Sequence, residues 1–146
     1  MRYIGFSAHG ESAALALLDR LEVDSVLYPI NYVCYARGNF GPGLVRKAAE
    51  KGVARLALKV LARQRRKRDE KRSYSKCWYH PVDRVARAER ALRFTLSEDV
   101  TAAIPPGDER LYELALDLAA GYKPLTPEER TDLLTSAEGL DPIFKA

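Results

Sequence analysis

The sequence predicts a parallel α/β fold, and three observations predict it. Short apolar segments alternate with amphipathic helical ones, giving four strand-then-helix units with a period of about 20 to 50 residues. The segments that follow the strands are polar, aromatic or glycine-rich. Right-handed crossovers put such loops on one edge of a parallel sheet, which makes that edge the functional face. The stretch Asp99–Leu111, DVTAAIPPGDERL, brings a strand, a tight turn and a helix start together.

Composition bounds what such a fold can be. A chain of 146 residues, 47% hydrophobic and 30% charged, is long enough to bury one core, so residues 1–146 are read as a single domain. Its longest stretch of low charge, Val23–Ala36, contains Pro29 and Asn31 and is too short and too polar to span a bilayer. No export signal opens the chain, so the cytoplasm is the expected compartment. Cys34 and Cys77 lack metal-ligand spacing and read as reduced thiols, with no metal site expected. The net charge of +4 is concentrated in Arg63–Arg72, RQRRKRDEKR, with seven positive and two negative residues; the rest is near neutral.

In chain order, Arg2–Ser7 reads as a buried strand leaving through the polar loop Ser7-Ala8-His9-Gly10. Glu11–Arg20 is rich in helix formers, with Ala14, Leu17, Leu18 and Leu21 on one side. Asp24–Ile30 is a second strand ended by Pro29, and Asn31–Pro42, with Tyr32, Tyr35 and Phe40, reads as a long aromatic loop. Gly43–Lys51 gives a basic-surfaced helix stopped by Gly52. Val53–Leu61 has strand character despite Arg55 and Lys59, although its leucines and alanines also suit a helix.

The basic run and Ser73–His80 form a second long connection before a helix over Asp83–Thr95, whose Val85, Ala88, Leu92 and Leu96 make an apolar stripe. Val100–Ile104 is small, β-branched and uncharged, as a strand covered on both faces must be. Pro105 and Pro106 end it, and Gly107 eases the turn. Asp108 is placed to cap the helix carrying Leu111, Leu114, Ala115 and Leu118, which closes at Gly121; free amides at that end also suit a phosphate. Thr126-Pro127-Glu128-Glu129 supplies an N-cap, an N1 proline and a capping-box glutamate for a tail helix running to about Ala137.

Taken together, RYIGFSAHGESAALALLD, DSVLYPINY, KGVARLALKVLA and FTLSEDVTAAIPPG, in this order and spacing, resemble the aldo/keto reductase family. The resemblance is to the carboxyl-terminal half of that family's (β/α)8 TIM-type barrel. It implies four parallel βα units, strands five to eight, plus a C-terminal helix. Gly5-Phe6-Ser7 matches the signature at the end of strand five, and Ile104-Pro105 with Pro106-Gly107 the one at the end of strand eight.

The family reduces carbonyls with hydride from NADP or NAD, a tyrosine acid donating the proton with help from lysine, aspartate and histidine. Those four residues resemble first-half features, so the resemblance implies that this chain carries none of them and alone lacks catalytic activity. It implies instead a cofactor-binding half. Ser7 would bond the nicotinamide amide, Lys59 would line the dinucleotide, and Pro106 with Gly107 would face its phosphate end, with Arg110 nearby. Leu27 stands where many members carry a glutamine, Leu58 where many carry the stacking tyrosine, and Asp108 and Glu109 where a basic residue often holds the 2'-phosphate.

His9 lies in the mouth, where a loop histidine satisfied by its neighbours weighs against a catalytic one, and His80 is given no role. The run Arg63–Arg72 is open to two readings. It is an interaction module for an anionic partner, with Tyr74, Trp78 and Tyr79 stacking on bases, or a solvated loop, the commoner fate of charge runs. Nucleic acid is therefore not the expected partner. Half a barrel leaves two open strand edges and an apolar inner face of roughly several hundred Å², above what a soluble monomer usually tolerates. Association is expected, with a second copy or with a complementary first half; an inactive remnant is the remaining outcome.

Overall fold

The computed structural model describes residues 1–146. Four short strands, β1 (Gly5–Ser7), β2 (Ser25–Pro29), β3 (Ala54–Leu58) and β6 (Ala102–Ala103), lie parallel in the order β1-β2-β3-β6. Between β3 and β6 the chain makes an antiparallel excursion, β4 (Ala62–Arg65) with β5 (Tyr79–Pro81). Six helices complete the fold: α1 (Glu11–Arg20), α2 (Tyr32–Gly38), α3 (Pro42–Glu50), α4 (Val85–Ser97), α5 (Glu109–Ala120) and α6 (Pro127–Thr135). The sheet is an arc whose edges β1 and β6 each have one unpaired side, so the barrel is not closed. No helix is long and apolar enough to cross a membrane.

Side chains alternate along each strand, and the register fixes which residues share a face. Val26 and Tyr28 of β2 and Ala57 of β3 are buried, packing in one core with Ala14 and Leu18 of α1 and Leu44 and Ala48 of α3. Leu27 and Leu56 are paired in register on the other face. They, Leu58 and Ile104 are partly exposed and stand outside the packed core. One face of the sheet is therefore finished and the other is not.

Two contacts tie helices together, and a local cap supports the second. The Glu11 carboxylate, at the start of α1, accepts the amides of Gly41 at 2.8 Å and Leu44 at 3.2 Å, so α1 caps α3 across thirty residues of chain. Gly41 sits at φ 114°, a backbone that favours glycine, and a β-carbon on Gly43 would come within 2.8 Å of Glu11 Oε1. The tail helix has its full capping box, Thr126 Oγ1 accepting from the Glu129 amide at 3.1 Å and Glu129 accepting from the Thr126 amide at 2.9 Å. Arg93 of α4 grips the same Glu129 carboxylate at 2.7 and 3.0 Å and so ties α6 to α4.

Several expectations need correction. Asn31–Pro42 is not a loop: α2 fills most of it, started by Asn31, whose Oδ1 accepts the Cys34 amide at 3.0 Å, and followed by Asn39 in a left-handed conformation at φ 46°. Its seven residues are too few for an apolar period to show, while its aromatics resemble those of a recognition loop. The first strand is shorter than Arg2–Ser7 and is largely exposed rather than buried, because it is a sheet edge with a neighbour on one side only. Val100–Ile104 is a regular strand only at Ala102 and Ala103, flanked by the Thr101 and Ile104 amides bonding β3 carbonyls, and none of its residues is fully buried, because β6 is a sheet edge.

The connection from Arg63 to His80 is not wholly irregular either, since its two ends form β4 and β5. On α4, Val85 is 62% exposed, and the buried stripe is Ala88, Ala91, Leu92, Phe94 and Thr95. Cys34 and Cys77 are free and buried.

Candidate dinucleotide site at the carboxyl edge of the sheet

Because β1, β2, β3 and β6 run parallel, the residues after each strand meet at one edge. The ladder continues a step beyond the strands, with the Ala8 amide on Leu27 O at 3.2 Å, Ile30 on Leu58 O at 3.0 Å and Ile104 on Ala57 O at 2.7 Å. This holds the start of each loop to its neighbour. Ser7, at the end of β1, is exposed, and its hydroxyl bonds no protein group.

Lys59 follows β3 with φ 63°, a left-handed backbone that a lysine adopts at some cost. Its ammonium lies 5.9 Å from the centre of the Trp78 ring and 5.6 Å from that of Tyr79, close enough for the ring faces to attract it. Trp78 meets Tyr79 edge-on at 5.4 Å and is 41% exposed. The C-terminal segment returns across this edge. Phe144 stacks on Phe40 at 5.4 Å and stands 5.2 Å from the His9 ring and 5.9 Å from Trp78, while the Ala146 amide donates to Gly38 O at 2.9 Å.

After β6, Pro106 is buried and Gly107 is exposed, with open space where a β-carbon would stand. Asp108 occupies the N-cap of α5 but makes no capping bond with its side chain, contrary to expectation. Its carboxylate is turned to the Arg110 guanidinium at 3.2 and 3.4 Å. That bond holds the Asp108 carboxyl below the usual carboxylate range and raises Arg110. Arg110 also lies 4.4 Å above the Tyr74 ring, and the Tyr74 hydroxyl donates to Asp83 at 3.2 Å. Glu109 is paired with Lys76 at 3.1 Å.

No protein-family model matches the chain, and no curated protein does either. Solved structures do. An aldo-keto reductase from Bacillus halodurans matches in its apo form with a TM-score of 0.61 at 19% identity, over 97% of this chain and 53% of that one. The holo form of the same enzyme matches with the same TM-score and identity, over 97% of this chain and 52% of that one. The fold is that of a partial aldo-keto reductase barrel. This chain spans about half the length of the reductase it matches, in keeping with a sheet that stops at four strands.

Within that reductase fold, the residues singled out from the sequence fall into two groups. Lys59 stands with Trp78 and Tyr79, and Arg110 beside Pro106 and Gly107 stands with Tyr74; Ser7 contacts neither group. Sequence reasoning missed Phe144. It is a lone aromatic in the short tail after α6, and no periodicity or spacing marks it.

The basic run is stitched to itself and to its surroundings. Arg65 pairs with Asp141, Arg66 donates to the carbonyls of Lys67 and Glu70, and Glu70 bonds His80 at 2.7 Å. Tyr79 is buried, so the aromatics near the run do not form one stacking platform.

Proposed function

We propose that this chain supplies the dinucleotide-binding half of an NAD(P)H-dependent carbonyl reduction of the aldo/keto reductase type, without the proton-donating tyrosine and its helpers. The supporting observation is a one-faced parallel sheet that matches half of a reductase and gathers two cations and a free hydroxyl along its carboxyl edge. The donor set suits an anionic dinucleotide. Ser7 offers an unpaired hydroxyl, Lys59 an ammonium with no carboxylate, and Gly107 an unfilled space beside the start of α5.

When bound, NADP or NAD would supply the hydride. Ser7 would hold the nicotinamide amide, Lys59 would line the dinucleotide, and Pro106, Gly107 and Arg110 would meet its phosphate end. A guanidinium stacked on Tyr74 and tied to Asp108 has lost its rotamer freedom beforehand, so less is lost on binding.

The open inner face calls for a cover. Leu27, Leu56, Leu58 and Ile104 would be sealed by a second copy or by a complementary first half, which would also pair the free edges of β1 and β6. The compartment we assign is the cytoplasm, where buried free thiols such as Cys34 and Cys77 stay reduced.

Calorimetric titration of NADPH and of NADH into the purified chain tests this reading. Saturable binding is expected, weakened about tenfold by Lys59→Gln or by Arg110→Gln, since each removes one charge-assisted contact. No carbonyl reduction by the chain alone is expected. Absence of saturable binding by folded protein would make the chain an inactive fragment of the reductase fold.

A further inference from the structure

We infer a second ligand site: the cleft between α2, β4, α4 and the end of α6 binds the phosphate group of a small phosphorylated ligand through Arg63, Arg87 and Arg90. The cleft has a volume of about 300 Å³ and is lined by Tyr32, Arg63, Arg87, Arg90, Leu133 and Ser136. None of the five residues assigned to the dinucleotide lines it.

Three guanidiniums from two elements converge here, and no carboxylate lines the cleft. None of the three takes part in an ion pair, whereas Arg93 on α4 and Arg130 on α6 do. Glu129 of α6 is already held by Arg93; it gives Arg90 its backbone carbonyl as hydrogen-bond acceptor, at 3.1 Å, and its carboxylate feels the Arg90 charge without bonding it. Arg90 Nε is buried and has no acceptor at all. A buried N–H left unpaired, beside two further cations, is a costly arrangement that an anion relieves.

The cations are in electrostatic reach of the cleft wall. Burial pushes the Tyr32 hydroxyl above its ordinary value, and Arg63 and Arg87 pull it back. Arginine forks are matched to the tetrahedral oxygens of phosphate, and a tyrosine hydroxyl adds a further donor.

The shape selects a small ligand. A second hollow of about 280 Å³ adjoins the first, sharing Arg63 and Arg87 and adding Arg84, so there is room for a second phosphate or for the body of a phosphorylated molecule. Asp83, the one acid there, faces the Tyr74 hydroxyl. Arg65, Arg66 and Arg72 of the basic run are occupied with local carbonyls and acids, which interrupts the long basic track that a polynucleotide follows.

Calorimetry on the full chain with inorganic phosphate and with pyrophosphate tests the inference. One saturable site is expected, with pyrophosphate the tighter ligand. Arg63→Gln and Arg87→Gln should each weaken it about tenfold, the effect of one lost charge-assisted contact, and Arg20→Gln on α1 should leave it unchanged. Circular dichroism establishes that each variant is folded. The two sites are separable: Arg87→Gln should leave NADPH affinity unchanged, and Lys59→Gln should leave pyrophosphate affinity unchanged. The inference is overturned by the absence of saturable pyrophosphate binding, by an equal loss in Arg20→Gln, or by a single-stranded oligonucleotide that binds more tightly and depends equally on Arg68.

Discussion

The two faces of the sheet differ more than any other pair of regions in the molecule. On one, Val26, Tyr28 and Ala57 pack under α1 and α3, and Tyr28 stacks on Phe40 with ring centres 4.6 Å apart. On the other, Leu27, Leu56, Leu58 and Ile104 are as apolar but only partly covered. The same strands thus carry a completed core and an uncompleted one. The contrast teaches that the chain's stability comes from the helix-covered side, while the opposite side contributes less buried area to it.

Truncating the finished side should break the fold first. Tyr28→Ala or Leu18→Ala should cost about 3 kcal/mol, read from the urea midpoint, because each removes a fully packed side chain and leaves a cavity. On the open side Leu56→Ala should cost about 1 kcal/mol, since a half-exposed leucine has less buried area to lose. Leu56→Lys should instead shift the chain from associated to monomeric species in sedimentation while its unfolding midpoint scarcely moves. Equal costs on the two faces would erase the distinction.

Smaller effects sharpen the account of how the covering layer is held. Thr126→Ala removes half of the capping box and should lower stability by about 1 kcal/mol. The Arg93–Glu129 contact adds a pH dependence. Arg93 holds the Glu129 carboxyl below its ordinary value. Its stabilisation is therefore present above the unfolded carboxyl's pKa and is lost as pH falls through the lower, folded value. Urea midpoints of the wild type and Arg93→Gln should differ at pH 7 and draw together at acid pH.

What the sequence made legible follows from how each element is stabilised. α1, α3, α5 and α6 carry local signals, helix formers, glycine stops and a capping box, and all four appear where those signals lie. The alternation of the four parallel strands with α1, α3, α4 and α5 was legible for the same reason, whereas β4 and β5 were not. α2 was not, because its start depends on one asparagine and its burial on contacts from distant parts of the chain, such as the Phe144–Ala146 tail. The Glu11 cap on α3 spans thirty residues and leaves no local trace.

At the candidate site, the turn Pro105–Asp108 was legible as a turn, but the choice of Arg110 over the helix amides as the partner of Asp108 was not. Asp108 offers both options at the same spacing, and only the placement of Tyr74 beneath Arg110 decides between them. The arginine cleft was equally hidden. Arg63 reads as the first member of a solvated run, and only the strand pairing of β4 with β5 turns it toward α4.

The most direct test of the central claim uses Trp78, the chain's one tryptophan, which lies 5.9 Å from the Lys59 ammonium at the edge assigned to the dinucleotide. Its fluorescence should change saturably as NADPH is added to protein of known mass in solution, and Lys59→Gln should weaken the response. An unchanged Trp78 signal across the titration, in protein that is folded and associated, would contradict a dinucleotide-binding half-barrel.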